Sequence, residues 1–410
     1  MEKKFLINFS ALNVSAFINK VFSFVFVVAL VRLVSQSDYG TYTLIWAHVG
    51  ILASWQDLGT TSVGMLQTDK NNNSSLHSLL VLRLFLALAV SLGTIILALL
   101  FRYPPTTLLI ILCFSAVIFS NAVSGFFLII TSIKQRLTVT SVLSILFNFV
   151  LVAFSILTLL STKNVYIMLF ITTLIYGLYA VVLLIVTHRY FFPLSLTWNA
   201  AEVKRLIKRS FVFSLIGFFA SLPSRSDFLL LAKFGGKTSL AEYAAAFNFF
   251  EASLMLVSSY NIASLPSLTK YFKEDLPMFY RKIKSDFIFL TIVSISAVSA
   301  TVIVGGPLIR LFFSSKYQVA IPILNLLILA LPSILFTSLW LNALYAMSKE
   351  KYIVLFFAFQ AVLHVIVNTL YIPQYSYFAP TIVLVVGEVI QTLSLACYLF
   401  CNISHVPRRN

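Results

Sequence analysis

The chain has 410 residues, of which 60% are hydrophobic and only 10% are charged. A soluble domain carries about 25% charged residues, so this composition excludes a soluble fold for most of the chain. The net charge of +16 does not by itself indicate nucleic-acid binding, because membrane proteins concentrate Lys and Arg in cytoplasmic loops. We therefore expect an integral membrane protein with no nucleic-acid partner.

Twelve long apolar stretches follow one another along the chain, and none alternates with the two-residue period of a strand. A membrane-spanning helix takes about 20 apolar residues, and helices satisfy their own backbone inside lipid. The pattern predicts an all-α protein with transmembrane helices at 11–34, 42–66, 78–101, 106–131, 138–160, 165–187, 210–233, 243–265, 287–309, 319–345, 352–372 and 379–401. The gaps are too short for a soluble catalytic domain, so we do not expect an enzyme.

Basic residues are concentrated in every other gap. With the N-terminus in the cytoplasm, twenty of the 29 Lys and Arg residues fall on the cytoplasmic side, Arg83 among them, and seven on the other side. Lys20 and Arg225 are the two that remain inside the membrane. The positive-inside rule then places both termini in the cytoplasm.

The twelve stretches divide into two sets of six. A short basic amphipathic segment at 199–209, suited to the surface of an anionic leaflet, separates the sets. Arg102 follows the third stretch as Arg310 follows the ninth, and an even number of spans brings both halves in from the same side. We therefore expect parallel six-helix lobes at 1–195 and 196–410, with a substrate site in a cavity between them.

Six charged residues are assigned to the membrane interior, where each costs roughly 2.5–3.5 kcal/mol unless it is paired or hydrated. They are Lys20, Asp57, Arg225, Asp227, Glu251 and Glu388. The two cations are predicted to bind substrate in the cavity; the alternative for Lys20 is an ion pair with Asp57 or Glu251. The carboxylates are predicted either to carry a coupling ion or gate the cavity, or to pin neighbouring helices.

Other polar residues in the spans are weaker candidates. Pro223 is expected to kink the seventh span beside Arg225. His48 and His364 are candidates for a proton relay, although a lone histidine in a bundle is more often simply hydrogen-bonded. Intramembrane asparagines such as Asn368 are expected to hold helices together or to line a wet cavity. The sequence has no phosphate-binding glycine loop, metal-ligand cluster or nucleophile elbow, so we expect no cofactor and no metal.

Several motifs resemble those of polysaccharide-unit flippases of the Wzx type. They are the segments 32–42, 57–59, 226–235 with 242–247, and 307–313 with 317–324. The chain departs from the family pattern at Ala241-Glu242-Tyr243, where a glycine usually precedes the tyrosine. These flippases belong to a superfamily of multidrug and oligosaccharidyl-lipid exporters.

The resemblance implies two six-helix lobes around a cationic cavity that opens alternately to each side of the bacterial inner membrane. It implies transport of an undecaprenyl-pyrophosphate-linked repeat unit of O-antigen or capsule, coupled to a gradient of H⁺ or Na⁺. Membrane lipids, a polysaccharide polymerase and a chain-length regulator would be the partners. Lys20 and Arg225 would engage pyrophosphate or acidic sugars. Added positive charge at the ends of the cavity would come from Arg32, Arg83 or Arg310.

Other functional classes stay open. A cation-coupled multidrug exporter of the same superfamily would need a carboxylate-dominated cavity, and two intramembrane cations against four carboxylates do not decide between the two transporters. A membrane-embedded polysaccharide polymerase or ligase would carry a large external loop, whereas the external gaps are mostly about ten residues or fewer. A structural scaffold would not explain the buried charges.

Overall fold

The computed structural model describes residues 2–61 and 73–403, and within these ranges all regular structure is helical. Two short 3₁₀ turns lie at Ser315–Tyr317 and Ile328–Ala330. The helices are α1 Glu2–Leu33, α2 Gln36–Ile51, α3 Ala53–Asp57, α4 Asn73–Leu100, α5 Pro105–Phe114, α6 Ala116–Ile133, α7 Leu137–Thr162, α8 Val165–Tyr190, α9 Ala200–Phe234, α10 Gly236–Ser253, α11 Met255–Glu274, α12 Leu276–Phe313, α13 Ala320–Leu327, α14 Leu331–Ala346, α15 Glu350–Tyr375 and α16 Phe378–Ile403.

Eleven helical segments in the described ranges are long and apolar enough to cross a membrane. They coincide with eleven of the twelve predicted spans, so the chain is a multi-pass membrane protein of the predicted all-α class. The remaining span, 42–66, coincides with α2 and α3 and continues into residues 62–72, which lie outside the described ranges. Three basic residues counted on the cytoplasmic side also lie outside them: Lys70, Arg408 and Arg409.

Two compact units divide the chain between Ser221 and Leu222, which are neighbours within α9. The boundary predicted after residue 195 lies instead in the connection between α8 and α9. The first part of α9 belongs to the N-terminal unit because it is anchored there. The backbone N–H of Asn199 donates to Ser78 Oγ at 3.0 Å, and Leu206 packs in a buried core cluster with residues of α4 and α6.

Three corresponding helix pairs pack together within each unit. In the N-terminal unit α4 packs on α6, α6 on α8 and α7 on α8; in the C-terminal unit α12 packs on α14, α14 on α16 and α15 on α16. The second span of each unit is interrupted at Leu52 and Leu254, and the fourth at Ser115 and at Ile328–Ala330. Matching contacts and matching breaks confirm the predicted repeat of helix order.

The seventh span is part of a 35-residue helix that continues through Pro223. A proline inside a helix removes one backbone hydrogen bond and favours a kink. In this chain the helix is not interrupted there, and Arg225 and Asp227 follow within the same helix. The two residues are about 200° apart around the helix axis, so they occupy different faces.

The orientation predicted from the basic residues can be checked by labelling single cysteines. The three native cysteines, Cys113, Cys397 and Cys401, would first be replaced by serine. We expect a membrane-impermeant maleimide to label Lys163→Cys, between α7 and α8, in intact cells. Arg136→Cys, between α6 and α7, should react only after the membrane is permeabilised. Reaction of Arg136→Cys in intact cells would reverse the orientation.

Candidate functional site

Asp227 on α9 is fully buried in the C-terminal unit and accepts hydrogen bonds from three side chains. His364 Nε2 lies 2.7 Å and Asn368 Nδ2 2.6 Å from Asp227 Oδ1, and Tyr243 donates to Oδ2 at 3.3 Å. His364 and Asn368 are four residues apart on α15, so both point to the same carboxylate. Helices α9, α10 and α15 thus meet at one charged group.

This cluster contains more than one titratable group. Asp227 and His364 form an ion pair whenever the imidazole is protonated. Glu388 on α16 is half-buried and interacts electrostatically with His364. Of these two carboxyl groups, only that of Asp227 lies within hydrogen-bond distance of the imidazole. A proton can enter or leave such a cluster without leaving a large net charge in the low dielectric.

One acceptor in the cluster is unused. Asn368 Nδ2 donates to Asp227, but Asn368 Oδ1 is buried and has no hydrogen-bond partner in the described part of the chain. A buried unpaired acceptor costs about 1–3 kcal/mol. The hydrogen bond from Asn368 Nδ2 to the Asp227 carboxylate therefore holds the amide in an orientation that leaves Asn368 Oδ1 without a hydrogen bond in the described part of the chain.

Arg83 on α4 forms a buried ion pair with Asp57 at the end of α3, with Nη2 and Oδ1 2.9 Å apart. Its Nε donates to the backbone oxygen of Ala122 at 3.0 Å, and Nη1 donates to the hydroxyls of Thr60 and Thr61 at 3.0 and 3.1 Å. Only 3% of the Arg83 side chain is exposed, against 37% for Asp57. The guanidinium is thus almost fully satisfied by protein, while the carboxylate retains contact with its surroundings.

Gly125 on α6 makes room for this guanidinium. A Cβ atom at position 125 would overlap Nη2 of Arg83, and it would lie 2.9 Å from Cζ. Neither of these atoms is at the end of a loose side chain, because Arg83 is held by four acceptor groups. The absence of a side chain at position 125 is therefore a condition for the buried ion pair.

The position predicted for Arg83 requires a correction. It is expected from sequence on the cytoplasmic side, as a cation at one end of a cavity. In the structure it lies well inside α4 and its charge is taken up by Asp57. The predicted span 78–101 already includes position 83, and the surrounding helix is apolar enough to span a membrane despite one arginine. Hydropathy, however, does not indicate whether such an arginine is buried and paired. Asp57 is consequently the partner of Arg83 and not of Lys20.

The remaining predicted charges are more accessible. Four of them are exposed and, among the described residues, make no side-chain hydrogen bond or ion pair: Lys20, Arg225, Glu251 and Arg310. Arg32 is exposed in the last turn of α1. His48 is buried, and its Nε2 lies 3.0 Å from the backbone oxygen of Thr94, which is the simple hydrogen bond considered for it from sequence.

Asp286 is a buried charge that sequence reasoning missed. It accepts hydrogen bonds from Tyr260 at 3.0 Å and Ser264 at 2.9 Å on α11, and from Lys282 at 2.7 Å on its own helix. The predicted ninth span begins one residue later, whereas α12 begins at Leu276. Lys282 stands four residues before Asp286, and this spacing was the available signal for an ion pair within a helix.

The asymmetric exposure of the Asp57–Arg83 pair predicts how the protein responds to its loss. Asp57→Ala leaves a buried cation unpaired, which costs about 3–5 kcal/mol in a fully buried pair and less here because Asp57 is partly exposed. Combining it with Arg83→Met should recover much of this loss. The measurement is thermal unfolding in detergent of both single variants and the double variant. Additive destabilisation in the double variant would contradict a direct pair.

Solved structures of transporters share this fold. An inward-facing multidrug resistance MATE family transporter of the MOP superfamily is 13% identical, with a TM-score of 0.71 over 94% of each chain. The lipid II flippase MurJ, in an inward closed conformation, is 12% identical, with a TM-score of 0.74 over 96% of this chain and 87% of that one. A MOP superfamily transporter from Pyrococcus furiosus is 13% identical, with a TM-score of 0.62 over 98% and 94%.

At these identities the likeness to solved structures is one of fold. Among curated proteins the chain has no significant match. A family model described as polysaccharide biosynthesis protein matches residues 5–272, which is more than half of the chain and includes the Asp57–Arg83 pair and Asp227. This multi-pass membrane protein, with the fold of MOP superfamily transporters, therefore belongs to the polysaccharide biosynthesis protein family.

Proposed function

We propose that the protein is a flippase that moves an undecaprenyl-pyrophosphate-linked oligosaccharide, a repeat unit of O-antigen or capsule, across the bacterial inner membrane by alternating access. The family match and the fold shared with a lipid II flippase support a role in polysaccharide export. The proposal assigns the protein a transport step and no covalent chemistry. It also places both termini in the cytoplasm, as the distribution of basic residues predicts.

The observation that carries this proposal is which intramembrane charges already have partners. Asp57 is paired with Arg83, and the Asp227 carboxyl group is enclosed by three hydrogen-bond donors, so two of the four predicted carboxylates already have partners within their own units. Lys20 and Arg225 are exposed and have no such partner among the described residues. Unpaired cations suit a pyrophosphate, which an arginine binds through paired, charge-assisted hydrogen bonds.

A cation-coupled multidrug exporter is the second candidate. The fold likeness to a multidrug resistance MATE transporter and the exposed carboxylate of Glu251 favour it. Against it, Asp57 and Asp227 already have protein partners, so they are less available to a cationic drug. A polymerase or ligase is less well supported, since the described connections α4–α5, α7–α8 and α15–α16 are short.

An aromatic wall in the N-terminal unit supports contact with sugars. Phe147 on α7 stacks on Tyr179 of α8 with ring centroids 4.1 Å apart, and Tyr176 lies edge-on to Phe147 at 4.9 Å. Asn19 on α1 donates to Ser144 on α7 at 3.2 Å and so links these two helices. Half-buried aromatic rings offer an apolar face to a sugar. Lys20 is the next residue on α1.

Proton coupling is proposed for the Asp227 cluster in preference to Na⁺ coupling. His364, Asn368 and Tyr243 direct nitrogen or hydroxyl groups at the Asp227 carboxylate, occupying positions where a Na⁺ ion would need oxygen ligands. A proton needs no such ligand set and can be exchanged between carboxylate and imidazole. Glu388 would extend this exchange towards α16.

The proposal includes no metal and no cofactor. A polysaccharide polymerase and a chain-length regulator are the proposed protein partners.

Substitution of Arg225 should block export without removing the protein from the membrane. Deleting the gene should abolish surface polysaccharide and cause lipid-linked units to accumulate on the cytoplasmic side. A hydrogen bond to a charged group is worth about 1.5–3 kcal/mol, so Arg225→Ala or Lys20→Ala should lower restored polymer about ten- to a hundredfold. Lys163→Ala, in an exposed connection, is the control and should restore it fully.

Normal polymer in the Arg225→Ala strain would remove the role given to this residue. Normal polymer in the deletion strain, together with altered drug sensitivity, would move the assignment to the multidrug exporters. Membrane fractions probed for the protein separate both results from poor expression.

The proton proposal predicts a loss of coupling in Asp227→Asn. In proteoliposomes, an imposed pH gradient should accelerate substrate flipping by the unaltered protein, whereas a Na⁺ gradient should not. Asp227→Asn and His364→Gln should abolish the response to the pH gradient, because neither retains the carboxylate–imidazole pair. Asp286→Asn removes another buried carboxylate of the same unit and should retain the response. Acceleration by Na⁺ alone would contradict the proposal.

A further inference from the structure

An open apolar groove of about 400 Å³ lies within the C-terminal unit, between α14, α15 and α16. The groove is lined by Leu344 on α14, by Phe356 and Phe359 on α15, and by Ser394 and Leu395 on α16. Its volume is in the range of pockets that hold small ligands. No residue in it is charged, so the groove itself suits a hydrocarbon chain.

One end of the groove is amphipathic. The rings of Tyr352 and Tyr398 stand there with centroids 5.0 Å apart, and Lys349 Nζ lies 5.9 Å from the centre of the Tyr352 ring. Lys351, the residue before Tyr352, is exposed. Tyrosines and lysines at the end of an apolar span mark the level of lipid headgroups. The groove therefore has a cationic, aromatic end and an apolar remainder.

The length of the groove fits one leaflet. Tyr352 and Phe359 are seven residues apart on α15, which is about 10 Å along the helix axis. Half of the roughly 30 Å hydrocarbon layer is about 15 Å. Leu355 and Phe359 on its open side are 68% and 69% exposed, as expected of residues that contact lipid. A phospholipid acyl chain matches this depth, whereas a polyprenyl carrier is much longer.

We propose that this groove binds an anionic phospholipid, with an acyl chain along Phe356 and Phe359 and the phosphate at Lys349 and Lys351. The charge of the two lysines selects an anionic headgroup over a zwitterionic one. The same helix carries His364 and Asn368 further along, so an ordered lipid would hold in place the helix that presents the Asp227 cluster. The inference does not depend on the identity of the transported molecule.

Native mass spectrometry of the purified full-length protein tests this site. The probes are phosphatidylglycerol and phosphatidylcholine with identical acyl chains. Two lysines near a membrane surface together favour an anionic lipid by about thirtyfold, and we expect a preference of this order for phosphatidylglycerol. The double variant Lys349→Gln/Lys351→Gln should lose the preference. Ser394→Phe, which fills the groove, should lose the bound lipid itself.

The matched control is Lys134→Gln/Arg136→Gln, which removes two basic residues from another connection and should keep the preference. Equal retention of the two lipids by the unaltered protein would overturn the proposal, as would a preference that survives in the Lys349→Gln/Lys351→Gln variant. Displacement of phosphatidylglycerol by an equimolar polyprenyl phosphate would also overturn it, by making the groove a site for the carrier. The lysine variant changes only surface side chains, so it remains informative if Ser394→Phe does not fold.

Discussion

A charge placed inside a bilayer has to be neutralised or hydrated, and this constraint organises the polar interior of the protein. Asp57 and Arg83 neutralise each other in one unit, and Asp227 is enclosed by hydrogen-bond donors in the other. Arg83 links α3 with α4 and α6, and Asp227 links α9 with α10 and the more distant α15. Lys20 and Arg225 are left exposed, and in the function proposed here the anionic substrate neutralises them.

The two units have helix interruptions at corresponding spans. Breaks at Leu52 and Leu254 fall in the second span of each unit, and breaks at Ser115 and Ile328–Ala330 in the fourth. A broken helix inside a membrane leaves backbone groups that protein or water must satisfy. At these breaks the backbone stays hydrogen-bonded within the chain: the N–H of Ser115 donates to the oxygen of Ile111 at 3.0 Å, and that of Leu254 to the oxygen of Glu251 at 3.1 Å.

Sequence was sufficient for the spans and the fold class, because length and apolarity are local properties. It was insufficient to identify the partners of the buried charges. The Asp57–Arg83 pair joins residues on different helices, and the apolar sequence around Arg83 does not indicate which residue it pairs with. Asp286 escaped notice because the boundary of its span was placed one residue too late. The sequence does not identify His364 as a partner of Asp227, because the two residues lie on different helices and only the folded chain brings them together.

The buried guanidinium also leaves a mark that can be read without any structure. A methyl group at position 125 and an arginine at position 83 cannot occupy the same space. In an alignment of relatives the two positions should therefore covary, with residues larger than glycine at 125 accompanying a shorter side chain at 83. Relatives with this exchange would either neutralise the carboxylate at position 57 in another way or have no carboxylate there. The residue at position 125 thus indicates whether a protein of this kind keeps an arginine buried inside its first unit.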